Sequence, residues 1–179
     1  MNRLIAPLAA ALLIGLAGCG AAVPIEMPTK PDSGSSETGQ ASEETTSGPV
    51  AFGEFAEVEK EMGARLKVSV AAPADYTPAD SLFQPEVGKY VAVDAQAELV
   101  AGAVENISED EFTLIDAQGN RYQPTTVSLD NMFLHLLSRG QQVSGKIVYD
   151  VPADATGFTV EYEPTDVNDK SMGVLASWK

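Results

Sequence analysis

Tyr90-Val91-Ala92-Val93-Asp94-Ala95-Gln96-Ala97-Glu98-Leu99 is the stretch that decides the fold. Val91, Val93, Ala95, Ala97 and Leu99 alternate with Tyr90, Ala92, Asp94, Gln96 and Glu98. A two-residue period puts the first set on one face of an extended chain and the second on the other, so the segment reads as a half-buried strand. The same period recurs at Leu66, Val68 and Val70, at Phe112 and Leu114, at Val143, Ile147 and Tyr149, and at Phe158, Val160 and Tyr162. It predicts that Val93, Leu114, Ile147 and Val160 share one core while Asp94, Lys146 and Glu161 face water.

Turn chemistry separates these runs. Asp116-Ala117-Gln118-Gly119-Asn120 lies between two extended pieces, Arg139-Gly140 precedes Gln141, and Pro152-Ala153-Asp154-Ala155-Thr156-Gly157 precedes the Phe158 strand. Several short strands without alternating helices predict an all-β fold, an antiparallel sandwich or barrel rather than a parallel α/β sheet. One segment breaks the pattern. Leu129, Met132, Phe133, Leu136 and Leu137 follow i, i+3, i+4, i+7, i+8 spacing, with Ser128 placed to cap the start and Gly140 to end it. This predicts one short amphipathic helix, Leu129 to Ser138, across one end of the sandwich. From Phe52 to Met62, Phe52, Phe55, Val58 and Met62 could share a helical face, but Val50 to Val58 reads better as an edge strand.

The order and spacing of several short motifs carry a resemblance. Gly88-Lys89-Tyr90-Val91-Ala92-Val93-Asp94 is followed by Phe112-Thr113-Leu114-Ile115-Asp116-Ala117-Gln118-Gly119-Asn120-Arg121-Tyr122 and then by Gly145-Lys146-Ile147-Val148-Tyr149-Asp150-Val151-Pro152. With Tyr76-Thr77-Pro78 and Glu161-Tyr162-Glu163-Pro164, these resemble an immunoglobulin-like domain family of unknown function. That family is common in lipoproteins of Gram-positive bacteria and related to small secreted mycobacterial antigens. The resemblance spans about Leu66 to Pro164. It implies an immunoglobulin-like β-sandwich and supplies no catalytic residues. Where the family has a polar, Asn-containing turn after the Tyr90 strand, this chain has Leu99-Val100-Ala101-Gly102-Ala103-Val104, which leaves the pairing of the flanking strands open.

The N-terminus sets the address. Met1-Asn2-Arg3 is a short positive start, and Leu4 to Leu16 is an apolar run broken by Pro7 and Gly15. This is a signal-peptide pattern, shorter than the roughly twenty apolar residues of a spanning helix. Leu16-Ala17-Gly18-Cys19 resembles the lipobox of bacterial lipoproteins. By that resemblance residues 1–18 are removed, and Cys19 carries a diacylglyceryl group and becomes the N-terminus. Two acyl chains suffice for stable anchoring, at about 0.8 kcal/mol per buried methylene. Cys19 is the sole cysteine of the 179 residues, so the exported domain forms no internal disulfide. The expected location is the extracytoplasmic face of the cell membrane, lipid-anchored.

Residues 19–50 differ in character: Pro24, Pro28, Pro31 and Pro49 stand among Ser, Thr, Gly and Glu, as in Asp32-Ser33-Gly34-Ser35-Ser36-Glu37-Thr38-Gly39. Such a stretch buries too little apolar surface to offset its ordering entropy and reads as a disordered acidic tether, typically on the order of 30 Å end to end. Residues 51–179 suit a single domain. Loss of Arg3 with the signal peptide leaves 10 basic and 26 acidic side chains, a formal charge of −16. That balance opposes nucleic-acid binding and repels an anionic lipid surface.

Catalytic chemistry is thin. His135, the sole histidine, lies between Leu134 and Leu136 and reads as structural. Cysteine–histidine catalysis and histidine-rich zinc sites lack their residues, and no Gly-x-Ser-x-Gly turn is present. Gly-x-Gly-x-x-Gly and phosphate-loop patterns are absent. Glu109-Asp110-Glu111 and Asp166-Val167-Asn168-Asp169 offer the hard oxygens calcium uses, but neither reproduces the EF-hand loop, and solvated loop charge is the expectation. No catalytic residue, metal or cofactor is assigned. Tyr76, Tyr90, Tyr122, Tyr149 and Tyr162 suit contact surfaces as well as half-buried packing. The sequence thus predicts a non-enzymatic binding or interaction module with a protein or cell-envelope partner. The rival is a structural or accessory component of an envelope complex, and the most distant reading is an envelope hydrolase using acidic residues.

Overall fold

The computed structural model describes residues 48–79, 82–127 and 132–179. The expected signal peptide, Cys19 and nearly all of the expected tether lie outside the described residues. Eleven strands are described: β1 (Phe55–Glu59), β2 (Arg65–Val70), β3 (Ala74–Tyr76), β4 (Lys89–Ala101), β5 (Val104–Ser108), β6 (Phe112–Ile115), β7 (Arg121–Tyr122), β8 (Leu134–Ser138), β9 (Gln142–Val151), β10 (Thr159–Tyr162) and β11 (Ala176–Trp178). They form an antiparallel β-sandwich.

β4 is the spine. One edge pairs β9 from Lys89↔Val151 to Glu98↔Gln142, and the other pairs β3 at Tyr90–Ala92 and β2 at Ala95–Ala101, with β1 beyond β2. The opposing sheet runs β11-β10-β6-β7, and β5 with β8 forms a separate ribbon. The predicted alternation sets the register. Val91, Val93, Ala95, Ala97 and Leu99 are buried in the core with Leu66, Val68, Ile147, Leu114 and Val160, while Asp94 is exposed and Lys146 and Glu161 are half-buried. On the outer face Tyr90 and Ala92 are also buried, in a small satellite cluster with Val127 and Val148.

The expected turns are present. Gly119, Gly140 and Gly157 take positive φ of 85°, 78° and 66°, a region glycine enters without strain. β1 is an edge strand, as read for the Val50–Val58 region. The open pairing after β4 is also resolved: the chain turns at Gly102 (φ 102°), and β5 leaves the sheet to pair β8 from Val104↔Ser138 to Ser108↔Leu134.

The helix expected over Leu129–Ser138 is corrected where it is described, since Leu134–Ser138 is β8. Residues 129–131 lie outside the described residues. The i, i+4 pair Phe133 and Leu137 fits a two-residue period equally well, and both are fully buried, whereas Leu134 and Leu136 are exposed. Phe133 packs where Gly145 of β9 lacks a side chain, since a Cβ there would lie 3.0 Å from its ring. Its ring meets Phe112 edge-on at 5.8 Å. The helical content among the described residues is two 3-10 turns, Glu61–Gly63 and Glu109–Glu111.

Candidate functional site

Three connections meet at one end of the sandwich: Lys60–Ala64 between β1 and β2, Gly102–Asn106 from the β4–β5 turn into β5, and Thr165–Met172 between β10 and β11. They enclose an open cleft of about 460 Å³, within the roughly 300–1,000 Å³ usual for ligand sites. Lys60, Glu105 and Asn106 of its lining belong to a buried ionic network that continues behind it to Glu111 and Tyr162. Lys60, 6% exposed, donates from Nζ to Glu111 Oε1 at 3.1 Å and to the Asn106 carbonyl at 3.2 Å, and pairs with Glu105 Oε1 at 3.1 Å. Glu111 Oε2 accepts from the Ser108 N–H and the Tyr162 hydroxyl, each at 3.2 Å. Burial, with the Glu111 carboxylate beside it, pushes the Tyr162 phenol well up, so it remains a donor.

Local sequence explains the network. Ser108 and Glu111 form a capping box around the Glu109–Glu111 turn, which turns Glu111 back toward β5. Glu105 Oε1 accepts the Asn106 N–H at 3.1 Å. The side chains of Lys60, Glu105 and Glu111 therefore occupy the backbone groups of Asn106 and Ser108. Charged side chains thus blunt a strand edge that would otherwise invite pairing. One ammonium between two carboxylates leaves this network with an excess negative charge.

The rim is both acidic and apolar. Glu61 Oε2 accepts the Val167 N–H at 3.3 Å and ties the two outer loops together. Asp166 accepts the N–H groups of Lys170 and Asn168, which hold its carboxyl below the usual range. Met62 and Val167 stand at the loop tips, 94% and 78% exposed, and Val104 is 52% exposed. Met62 and Asp169 both adopt positive φ, 57° and 58°, a conformation that costs non-glycine residues on the order of 1 kcal/mol.

The residues singled out from sequence are dispersed. Cys19 lies outside the described residues. His135 sits on β8 with its ring edge-on to Phe133 at 5.4 Å, and its Nε2 is buried without a hydrogen-bond partner among the described residues. Glu109 and Glu111 diverge, Glu109 accepting the Phe133 N–H at 3.2 Å while Glu111 faces Lys60. The Asp166–Asp169 carboxylates belong to the cleft rim. Among the described residues no group of three or more His, Cys, Asp or Glu is placed to hold a metal. Of the two roles weighed for the tyrosines, packing is the one observed: Tyr90, Tyr149 and Tyr162 are buried, and Tyr76 and Tyr122 are half-buried. Sequence reading missed Lys60, Glu105, Met62 and Val167, because a lysine or methionine in a turn carries no mark of its distant partners.

The family described as Domain of unknown function (DUF4352) matches residues 66–172. The chain belongs to the DUF4352 family. The DUF4352 span takes in the Gly102–Asn106 and Thr165–Met172 walls of the cleft and leaves out Lys60–Ala64. The secreted protein MPT63 from Mycobacterium tuberculosis is similar in structure, with a TM-score of 0.58 at 18% identity, covering 75% of this chain and 99% of that one. The yjhA protein from Bacillus subtilis is similar with a TM-score of 0.51 at 14% identity, covering 72% and 97%. At these identities the likeness is one of fold. No curated protein matches the sequence. Among the described residues no helix is long and apolar enough to cross a membrane.

Proposed function

We propose that this protein is a lipoprotein anchored through Cys19 to the extracytoplasmic face of the cell membrane, and that its sandwich acts as a non-enzymatic binding module carried on the residue 19–50 tether. The observation that carries the binding reading is the loop-built cleft. Its rim exposes Met62, Val104 and Val167, while Glu105 in its lining is already paired with Lys60 and accepts the Asn106 N–H. A carboxylate held this way is a poor general base, whereas exposed apolar side chains around a concavity suit recognition. MPT63 is described as secreted, which agrees with export.

Replacing Cys19 with Ser should move the protein from the membrane fraction to the medium or to an uncleaved precursor. Unchanged, detergent-dependent lipid labelling of that variant would refute the anchor. Hydrolase and esterase panels on the purified protein should show no turnover. Activity that survives His135→Ala and disappears with one carboxylate would refute the non-enzymatic reading. The accessory-component reading has its own support in the outer face of β8, where Leu134 and Leu136 are exposed on the ribbon.

A further inference from the structure

We infer that the end cleft is a docking site for an extended basic polypeptide segment whose lysines or arginines are interspersed with apolar residues, a deepening that rests on the binding-module reading. Charge sets the sign of the partner. The Lys60 ammonium in the floor is already shared between Glu105 and Glu111, and Glu61, Asp166 and Asp169 line the walls. The lining sets four carboxylates, Glu61, Glu105, Asp166 and Asp169, against Lys60, with Arg139 Nε on the Gly102 carbonyl beside it, and this net negative charge lies on a chain of formal charge −15 in a concavity that focuses its field.

Apolar exposure sets the rest. Met62, Val104 and Val167 project from three separate connections around the carboxylates. A metal ion or simple polyamine would match the charge and leave these side chains wet. An anionic lipid surface would match the apolar tips and meet carboxylates of the wrong sign. An alternating basic and apolar segment satisfies both, with anchors buried beside charge pairs as in other protein interfaces.

The test is fluorescence anisotropy of the full chain with labelled Leu-Lys-Leu-Lys-Leu-Lys amide, with the Leu-Glu counterpart as control, at physiological salt. The lysine peptide should bind and the glutamate peptide should not. Met62→Asn with Val167→Ser, and separately Glu61→Gln with Asp169→Asn, should each weaken binding at least about five-fold. Glu57→Gln with Asp75→Asn removes the same two charges from exposed strand positions outside the cleft and should change it less than about two-fold. These substitutions fall on exposed side chains and leave the core intact. Equal weakening by the control pair, or no peptide binding, overturns the assignment. So does binding to phosphatidylglycerol vesicles that Met62→Asn with Val167→Ser abolishes. Such a failure leaves the Cys19→Ser and turnover tests standing, so the two readings fail separately.

Discussion

Asp116 shows how one residue organises a turn in this protein. Its Oδ1 accepts the N–H groups of Gln118 and Asn120, each at 2.9 Å, and its Oδ2 accepts Asn120 Nδ2 at 2.8 Å and the Tyr122 hydroxyl at 2.7 Å. Burial acts to raise its pKa, but these hydrogen bonds outweigh it and hold the carboxyl at about 2, against an ordinary 3.8. A depressed folded-state pKa means that the unfolded chain binds the proton first. The contribution of Asp116 to stability is thus fully present above about pH 4 and is lost as pH falls through about 2. Urea midpoints measured from pH 5 to pH 2 should fall more steeply for the wild type than for Asp116→Asn. Parallel slopes would show that this turn is not linked to protonation. The turn was legible because Asp, Gly and Asn at those spacings have local chemistry. The Lys60 network was not, because Lys60 and Glu111 are brought together by the β1–β2 connection and the capping box and nothing near either residue announces the other. Removing one member of such a buried pair costs about 3–5 kcal/mol, since its partner is left charged and dry.

At the scale of elements, strands with strict alternation were readable because one face must be buried, and a one-residue slip would reverse it. β8 was misread for a definable reason. Phe133 and Leu137 are four apart, a spacing shared by one helical turn and two strand periods, and Leu136 completes a helical stripe that the fold does not use. Pairing with β5 and the space over Gly145 decide for the strand, and these are tertiary facts. The two alternatives predict different stabilities. Leu137→Ala should cost about 2–5 kcal/mol, and Leu136→Ser should stay within about 0.5, measured by chemical denaturation. A helix would bury both side chains and make the two losses similar. β5 is equally hard to read from sequence. Its departure from the β4 sheet depends on Gly102, and its outer edge is closed by side chains from the β1–β2 connection and from the turn after it.

At the scale of the whole molecule, the scaffold and the proposed recognition surface separate. The sheets hold the aromatic core, including Trp178, Tyr149 and Tyr162, and the connections at one end carry the exposed methionine, valines and carboxylates. Placing binding groups on loops of a rigid sandwich is a recurrent arrangement, and the fold itself does not choose the ligand. The sequence displayed the sandwich through its periodicity, but the cleft joins positions about a hundred residues apart and left no periodic trace. The function proposed for the protein is binding through this end. The most direct measurement is site-specific photocrosslinking in living cells, with a photoreactive residue placed in turn at Met62, Val167, Leu136 and Glu57, and the adducts identified by mass spectrometry. Met62 and Val167 should give one shared adduct, and Glu57 none. An adduct from Leu136 on the ribbon, with Met62 and Val167 silent, would contradict that proposal.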